Sequence, residues 1–175
     1  TARSRGLGDV YKRQDHICRQ FAKSYGGTSE TLYAPAYAEN PEQKHAFMQN
    51  ATVKQTLDLA RKADVALVGI GDMSENSYMV DLGWFTADEV VQSRMLQGVV
   101  GDFAGYDFFD IQGQSAKTVM SDRVIGLSIE EFRPISEVIA IAAENSKPLA
   151  MLGALRTGVI DVIATSVSNA LTVLN

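Results

Sequence analysis

Residues 65–71 read VALVGIG, an unbroken apolar run closed by two glycines with one residue between them. A strand with one wet face alternates apolar and polar side chains; a run without polar interruption suits a strand covered on both faces, as in parallel sheets. Residues 137–142, EVIAIA, and 160–164 read as further strands of the same kind. Segments of helical period separate these runs, so the expected fold is α/β, with a right-handed, doubly wound, Rossmann-like and mostly parallel sheet.

The helical segments carry their own punctuation. Ile17, Phe21, Ala22 and Tyr25 share one face of a helix expected over 16–25, which Gly26-Gly27 closes. Residues 41–62 are helical in two pieces, with Pro41 in a first turn and a break near Asn50. Thr86 with Glu89, and Ser128 with Glu131, have capping-box spacing; Gly98 stops the first of these helices and Pro134 the second. Ser146 is expected to cap a helix that runs to Arg156 and stops at Gly158, and a final helix follows the last strand. Further strands are expected at 30–34 (ETLYA, ended by Pro35), 106–111 and 123–127. There is no internal repeat.

Composition narrows the function classes. The chain has 175 residues, 16 Lys+Arg against 21 Asp+Glu, and one cysteine. Lone Cys18 excludes a disulfide scaffold and, on an apolar helix face, reads as core. No apolar run approaches the roughly 18–20 residues of a membrane span, and a cytoplasmic protein is expected. A pI near 5.0 offers no net attraction to phosphate backbones or anionic lipid. Residues 1–14, TARSRGLGDVYKRQ, differ in character: Arg3, Arg5, Lys12 and Arg13 stand against Asp9 alone. The stretch from Asp9 to Gln14 back-translates to a transposon end used in library preparation, so residues 1–14 resemble translated sequencing adapter. Without them, residues 15–175 carry 12 basic against 20 acidic residues.

In doubly wound sheets ligands sit beyond the carboxyl ends of strands. Three loops qualify. In 69–77, GIGDMSENS, Gly69 and Gly71 permit close backbone approach and are followed by hydroxyl and amide groups. This is neither a dinucleotide fingerprint, since Ser74 occupies the third glycine position, nor a P-loop. In 101–105, GDFAG, Asp102 follows Gly101 and can accept hydrogen bonds from sugar hydroxyls, or merely form a turn. In 142–148, AAENSKP, Lys147 precedes a helix, where a cation opposes the dipole; an anion ligand explains it better than helix stability does. His16 and His45 lack partners at ligand spacing, so no metal site and no cofactor are expected. Arg156 suits a helix end without any function.

Four stretches in order, 58–71, 98–113, 123–127 and 137–165, resemble the effector-binding domain of the SorC family of bacterial transcriptional regulators, grouped with deoxyribonucleoside-type regulators. The resemblance implies a sheet related to the sugar-phosphate isomerases, a phosphorylated sugar as ligand, and an attached helix-turn-helix whose DNA affinity the ligand alters. It places Asp102 on sugar hydroxyls, Lys147 on phosphate and Asn40 as a further polar sugar contact, and it implies a homo-oligomer. It also implies an N-terminal strand and phosphate loop where residues 1–14 stand, so that 15–175 would be a partial domain lacking its helix-turn-helix. Ala143-Glu144 replaces the family's glycine pair, and Ser166 its usual acid. The expected function is that of a non-catalytic sensor. The alternative is a sugar-phosphate isomerase or deaminase, in which Asp102 would serve as general base.

Overall fold

A computed structural model describes residues 8–105, 107–143 and 147–174. Its strands are β1 (Val65–Asp72), β2 (Val99–Phe103), β3 (Asp107–Asp110), β4 (Glu137–Ala142) and β5 (Val162–Thr165), in one sheet ordered β3-β2-β1-β4-β5. β1 pairs with β4, and β4 with β5, in parallel. β2 is antiparallel to both its neighbours, so β3 points the same way as β1 and only β2 runs against the rest. The mostly parallel α/β sheet expected from the sequence is thus present, with an antiparallel wing on one side.

The helices are α1 (Gly8–Tyr25), α2 (Pro41–Gln49), α3 (Ala51–Ala60), α4 (Tyr78–Asp81), α5 (Ala87–Gln97), α6 (Ile129–Phe132), α7 (Pro148–Arg156) and α8 (Val167–Leu174). Their ends follow local chemistry. Asn50 closes α2 and opens α3, its Oδ1 accepting from the N–H groups of Thr52 and Val53. Both capping boxes form, at Thr86/Glu89 and Ser128/Glu131, and Gly98 ends α5 in the left-handed region at φ 66°. Ser146, the expected cap of α7, lies outside the described residues; Lys147 occupies the N-cap position without a side-chain capping bond.

Phe103, Phe108 and Phe109 of the antiparallel wing are fully buried, and α7 packs across β2 and β1. Small residues allow that approach. A Cβ on Gly101 would meet Ala150 Cβ at 2.8 Å, and one on Gly153 would meet the Asp110 carbonyl at 2.7 Å.

Several expectations are corrected. β1 is covered on one face only: Val68 and Ile70 are buried, whereas Leu67 is 55% exposed, beside Ile141 at 46% and Val162 at 43%. Apolar content records what a strand can bury, and neighbouring elements decide whether it is buried. Residues 30–34 and 123–127 form no strands; Tyr37 and Val124 make an isolated bridge, flanked by bonds from Ala38 N to Arg123 O and from Ile125 N to Ala36 O. β2 is a strand where a loop was expected, because its glycine and aspartate disguise it. Cys18 is exposed, as are Ile17, Phe21 and Tyr25 on the same helix. Among the described residues no helix is long and apolar enough to cross a membrane.

Candidate functional site

Asp102 sits in β2 directly opposite Gly71 of β1, inside an antiparallel ladder and not on the strand-to-helix loop expected for it. The pairing makes the site. With no side chain at Gly71, the Asp102 carboxylate folds over the neighbouring strand; a Cβ there would overlap Oδ2 and lie 2.6 Å from Cγ. Asp102 is 2% exposed. Its Oδ1 accepts from Gly105 N at 2.7 Å, while Oδ2 is buried without a hydrogen-bond partner. Burial pushes the carboxyl up to about 6, against the lowering effects of the Gly105 N–H and the Lys147 charge; Asp72 adds a smaller upward push.

Lys147 reaches the same place from the opposite direction. From the head of α7 its Nζ donates to the Ile70 carbonyl at 3.2 Å, one residue before Gly71. Pro148 follows at the first helical position, where its missing N–H costs nothing, and the next N–H groups of the turn point out of the helix end. A buried carboxylate that accepts and an ammonium that donates therefore converge on the carboxyl end of β1, around Gly71.

The other expected residues have different places. Gly101 admits α7 to the sheet, as above, and does not line the carboxylate cradle. Gly69 is exposed, and a Cβ there would meet no other protein atom within 4 Å; its carbonyl accepts from Ala104 N at 2.9 Å. Asn40 is exposed and commits Oδ1 to Gln43 N at 2.8 Å, capping α2. His16 and His45 are exposed, and Arg156 donates to the Ile111 carbonyl at 2.9 Å. Among the described residues no three His, Cys, Asp or Glu side chains form a group fit for a metal ion.

Sequence reasoning missed the support of the carboxylate. The turn after β2 passes through Ala104 at φ 57° and Gly105 at φ 75°, both left-handed. That conformation is strained for alanine, and it aims the Gly105 N–H at Asp102. Tyr37 pins the turn by donating its phenol O–H to the Gly105 carbonyl, and the phenol oxygen lies 3.4 Å from Met79 Sδ. Phe85 meets the Tyr37 ring edge-on at 4.4 Å. The second glycine of GDFAG was the available signal for the turn; no local pattern singles out Tyr37, sixty-eight residues away from Gly105.

Comparison with known proteins gives the family and the fold. A family model described as "putative sugar-binding domain" matches residues 6–175. The sugar-binding domain of a transcriptional repressor from Vibrio fischeri superposes with a TM-score of 0.86 at 60% identity, over 92% of this chain and 64% of that one. The full-length sorbitol operon regulator SorC from Klebsiella pneumoniae superposes with a TM-score of 0.84 at 25% identity, over 92% of this chain and 52% of that one. The erythritol catabolism regulatory protein EryD of Brucella abortus is 27% identical over 154 residues, 87% of this chain and 48% of EryD. The chain thus spans about half the length of the curated relatives it matches. A family match that leaves out only the first five residues, joined to a shared fold at 60% identity, makes this chain a member of the sugar-binding domain family of SorC-type regulators.

Proposed function

We propose that this chain is the effector-binding domain of a bacterial transcriptional regulator and takes a phosphorylated sugar at the carboxyl end of β1. The observation that carries the reading is the buried Asp102 carboxylate, with Oδ2 unpartnered and Lys147 close enough to act on its ionisation. An ionised carboxylate only accepts hydrogen bonds, which suits sugar hydroxyls; an ammonium at a helix head suits phosphate. On this reading residues 15–175 supply the effector domain, and a helix-turn-helix elsewhere in an oligomeric regulator contacts DNA. The ligand acts by binding two conformations with different affinity, and no chemistry is required.

Thermal unfolding in the presence of ribose 5-phosphate, 2-deoxyribose 5-phosphate, fructose 6-phosphate, glucose 6-phosphate and sorbitol 6-phosphate tests the reading. A ligand at a hundred times its Kd adds about 2.7 kcal/mol of stability. At least one of the five is expected to raise Tm by several degrees, and Lys147→Ala to abolish most of that shift. Inorganic phosphate alone should do less. If none of the five shifts the wild type, the reading fails.

A second reading, an isomerase or deaminase, draws on the same carboxyl, because a group titrating near 6 is matched to general-base work near neutral pH. Turnover of any of the five compounds that is lost in Asp102→Asn would favour it over a sensor.

A further inference from the structure

Among the described residues two buried side-chain oxygens have no hydrogen-bond partner: Asp102 Oδ2 and Ser77 Oγ. Ser77 is 8% exposed and stands at the end of the loop that leaves β1, the GIGDMSENS stretch whose hydroxyl groups stood out in the sequence. Other groups of that loop have partners. Arg94 donates to the Met73 carbonyl at 3.2 Å and to Glu75 at 2.9 Å, and Ser74 Oγ accepts from Asn76 N at 3.2 Å. The backbone of Ser77 is satisfied too, its N–H by the Ser74 carbonyl and its carbonyl by the N–H groups of Val80 and Asp81, all at 3.0 Å. Only the hydroxyl is left over. A serine at a helix N-cap ordinarily accepts from the first turn, and Ser77 makes no such bond to α4.

A short chain of contacts links this hydroxyl to the carboxylate. Met79, two residues beyond Ser77, lies against the Tyr37 phenol; that phenol holds the Gly105 carbonyl, and the Gly105 N–H holds Asp102 Oδ1. The two orphaned oxygens therefore belong to segments joined through Tyr37, one of them the loop that leaves the carboxyl end of β1. A buried polar atom without a partner costs stability, and a ligand that supplied the missing bonds would account for keeping both.

We propose that Ser77 Oγ is a further ligand-contact residue, exchanging a hydrogen bond with a sugar hydroxyl beside the one bound by Asp102. The proposal rests on the sugar-phosphate reading and extends it to specificity. Asp102 can only accept, so a hydroxyl that donates to it keeps its lone pairs free; the Ser77 hydroxyl can donate to one of those or accept from the neighbouring hydroxyl. This is a positive test of hydroxyl pattern that a carboxylate and a lysine alone do not provide.

Ser77→Ala tests this with two readouts, melting of the unliganded protein and calorimetric affinity for whichever of the five sugar phosphates most stabilises the wild type. Because the hydroxyl has no protein partner, the unliganded variant is expected to melt no lower than wild type, while affinity falls about tenfold. Unchanged affinity, or a lower Tm without ligand, overturns the proposal; the latter would mean that the hydroxyl serves the fold. If the wild type responds to none of the five compounds, the sugar-phosphate reading falls and takes Ser77 with it. If the wild type responds and Lys147→Ala loses the response while Ser77→Ala keeps it, Ser77 alone falls.

Discussion

The two halves of the sheet are finished differently. In the antiparallel wing, Phe103, Phe108 and Phe109 are buried without remainder, and α7 lies so close that two glycines are needed to admit it. In the parallel half, one face is packed through Val68, Ile70, Val138 and Ala140, and the other leaves Leu67, Ile141 and Val162 about half-exposed. The wing, which looks less like sheet in sequence, is the better packed part. It also carries the costly features: an unpartnered carboxylate, a left-handed alanine and the seam with β1 where ligand groups converge. Close packing is what can hold an arrangement that no single residue would adopt alone.

The contrast can be broken by mutation. Phe109→Ala should cost about 3–5 kcal/mol in urea unfolding, because it empties a filled core site, whereas Leu67→Ala should stay within roughly 0.5 kcal/mol. A Leu67→Ala cost of core size would show that its face is covered in solution.

Asp102 sharpens the comparison with an effect of opposite sign. Burial raises its carboxyl from 3.8 to about 6, so the folded state holds the proton more tightly than the unfolded chain. Stability from this group is full below the unfolded value and declines as pH rises from about 4 to about 6, by roughly 3 kcal/mol. Asp102→Asn should remove that decline, so the variant is more stable than wild type at pH 7 in urea titrations run from pH 4 to 8. Glu75, Glu89 and Glu131, all held below the usual range, lose stability at more acidic pH and leave the window distinct. Sugar-phosphate affinity should rise through the same window, as Asp102 becomes an acceptor only.

Gly71→Ala should have a smaller effect on stability, about 1–3 kcal/mol, since the new methyl must displace the Asp102 carboxylate. Its diagnostic consequence is a loss of ligand-induced Tm shift in a protein that still folds. Retention of the shift would show that the carboxylate need not lie over β1.

Legibility followed the range of the interactions. The Asn50 break, both capping boxes and the Gly98 stop depend on residues within a turn of one another, and each appears where its signal stands. Strands β1 and β4 were readable because their apolar runs are continuous. β2 was not, since its strand character comes from partners on both sides, and the sequence shows a glycine and an acid between apolar ends. Asp102 and Lys147 could be chosen as chemistry, an acid beside glycine and a lysine before a helix, without any sign that they meet. Tyr37 escaped notice for the same reason, as it acts on a turn far along the chain, and Ser77, within a loop chosen for its hydroxyls, is set apart only by the bond that the structure shows it lacks.

By itself the sequence determined the α/β class, the helix ends, the family resemblance and the residue types fit for a hydroxyl-bearing anion, because these rest on periodicity, local capping and side-chain chemistry. Tertiary structure alone decided that β2 runs against β1, that Asp102 folds over Gly71 with Lys147 beside it, and that one face of the parallel strands is open. Those outcomes depend on contacts between residues tens of positions apart, whose energies are settled only when the elements pack and one carboxylate loses its water.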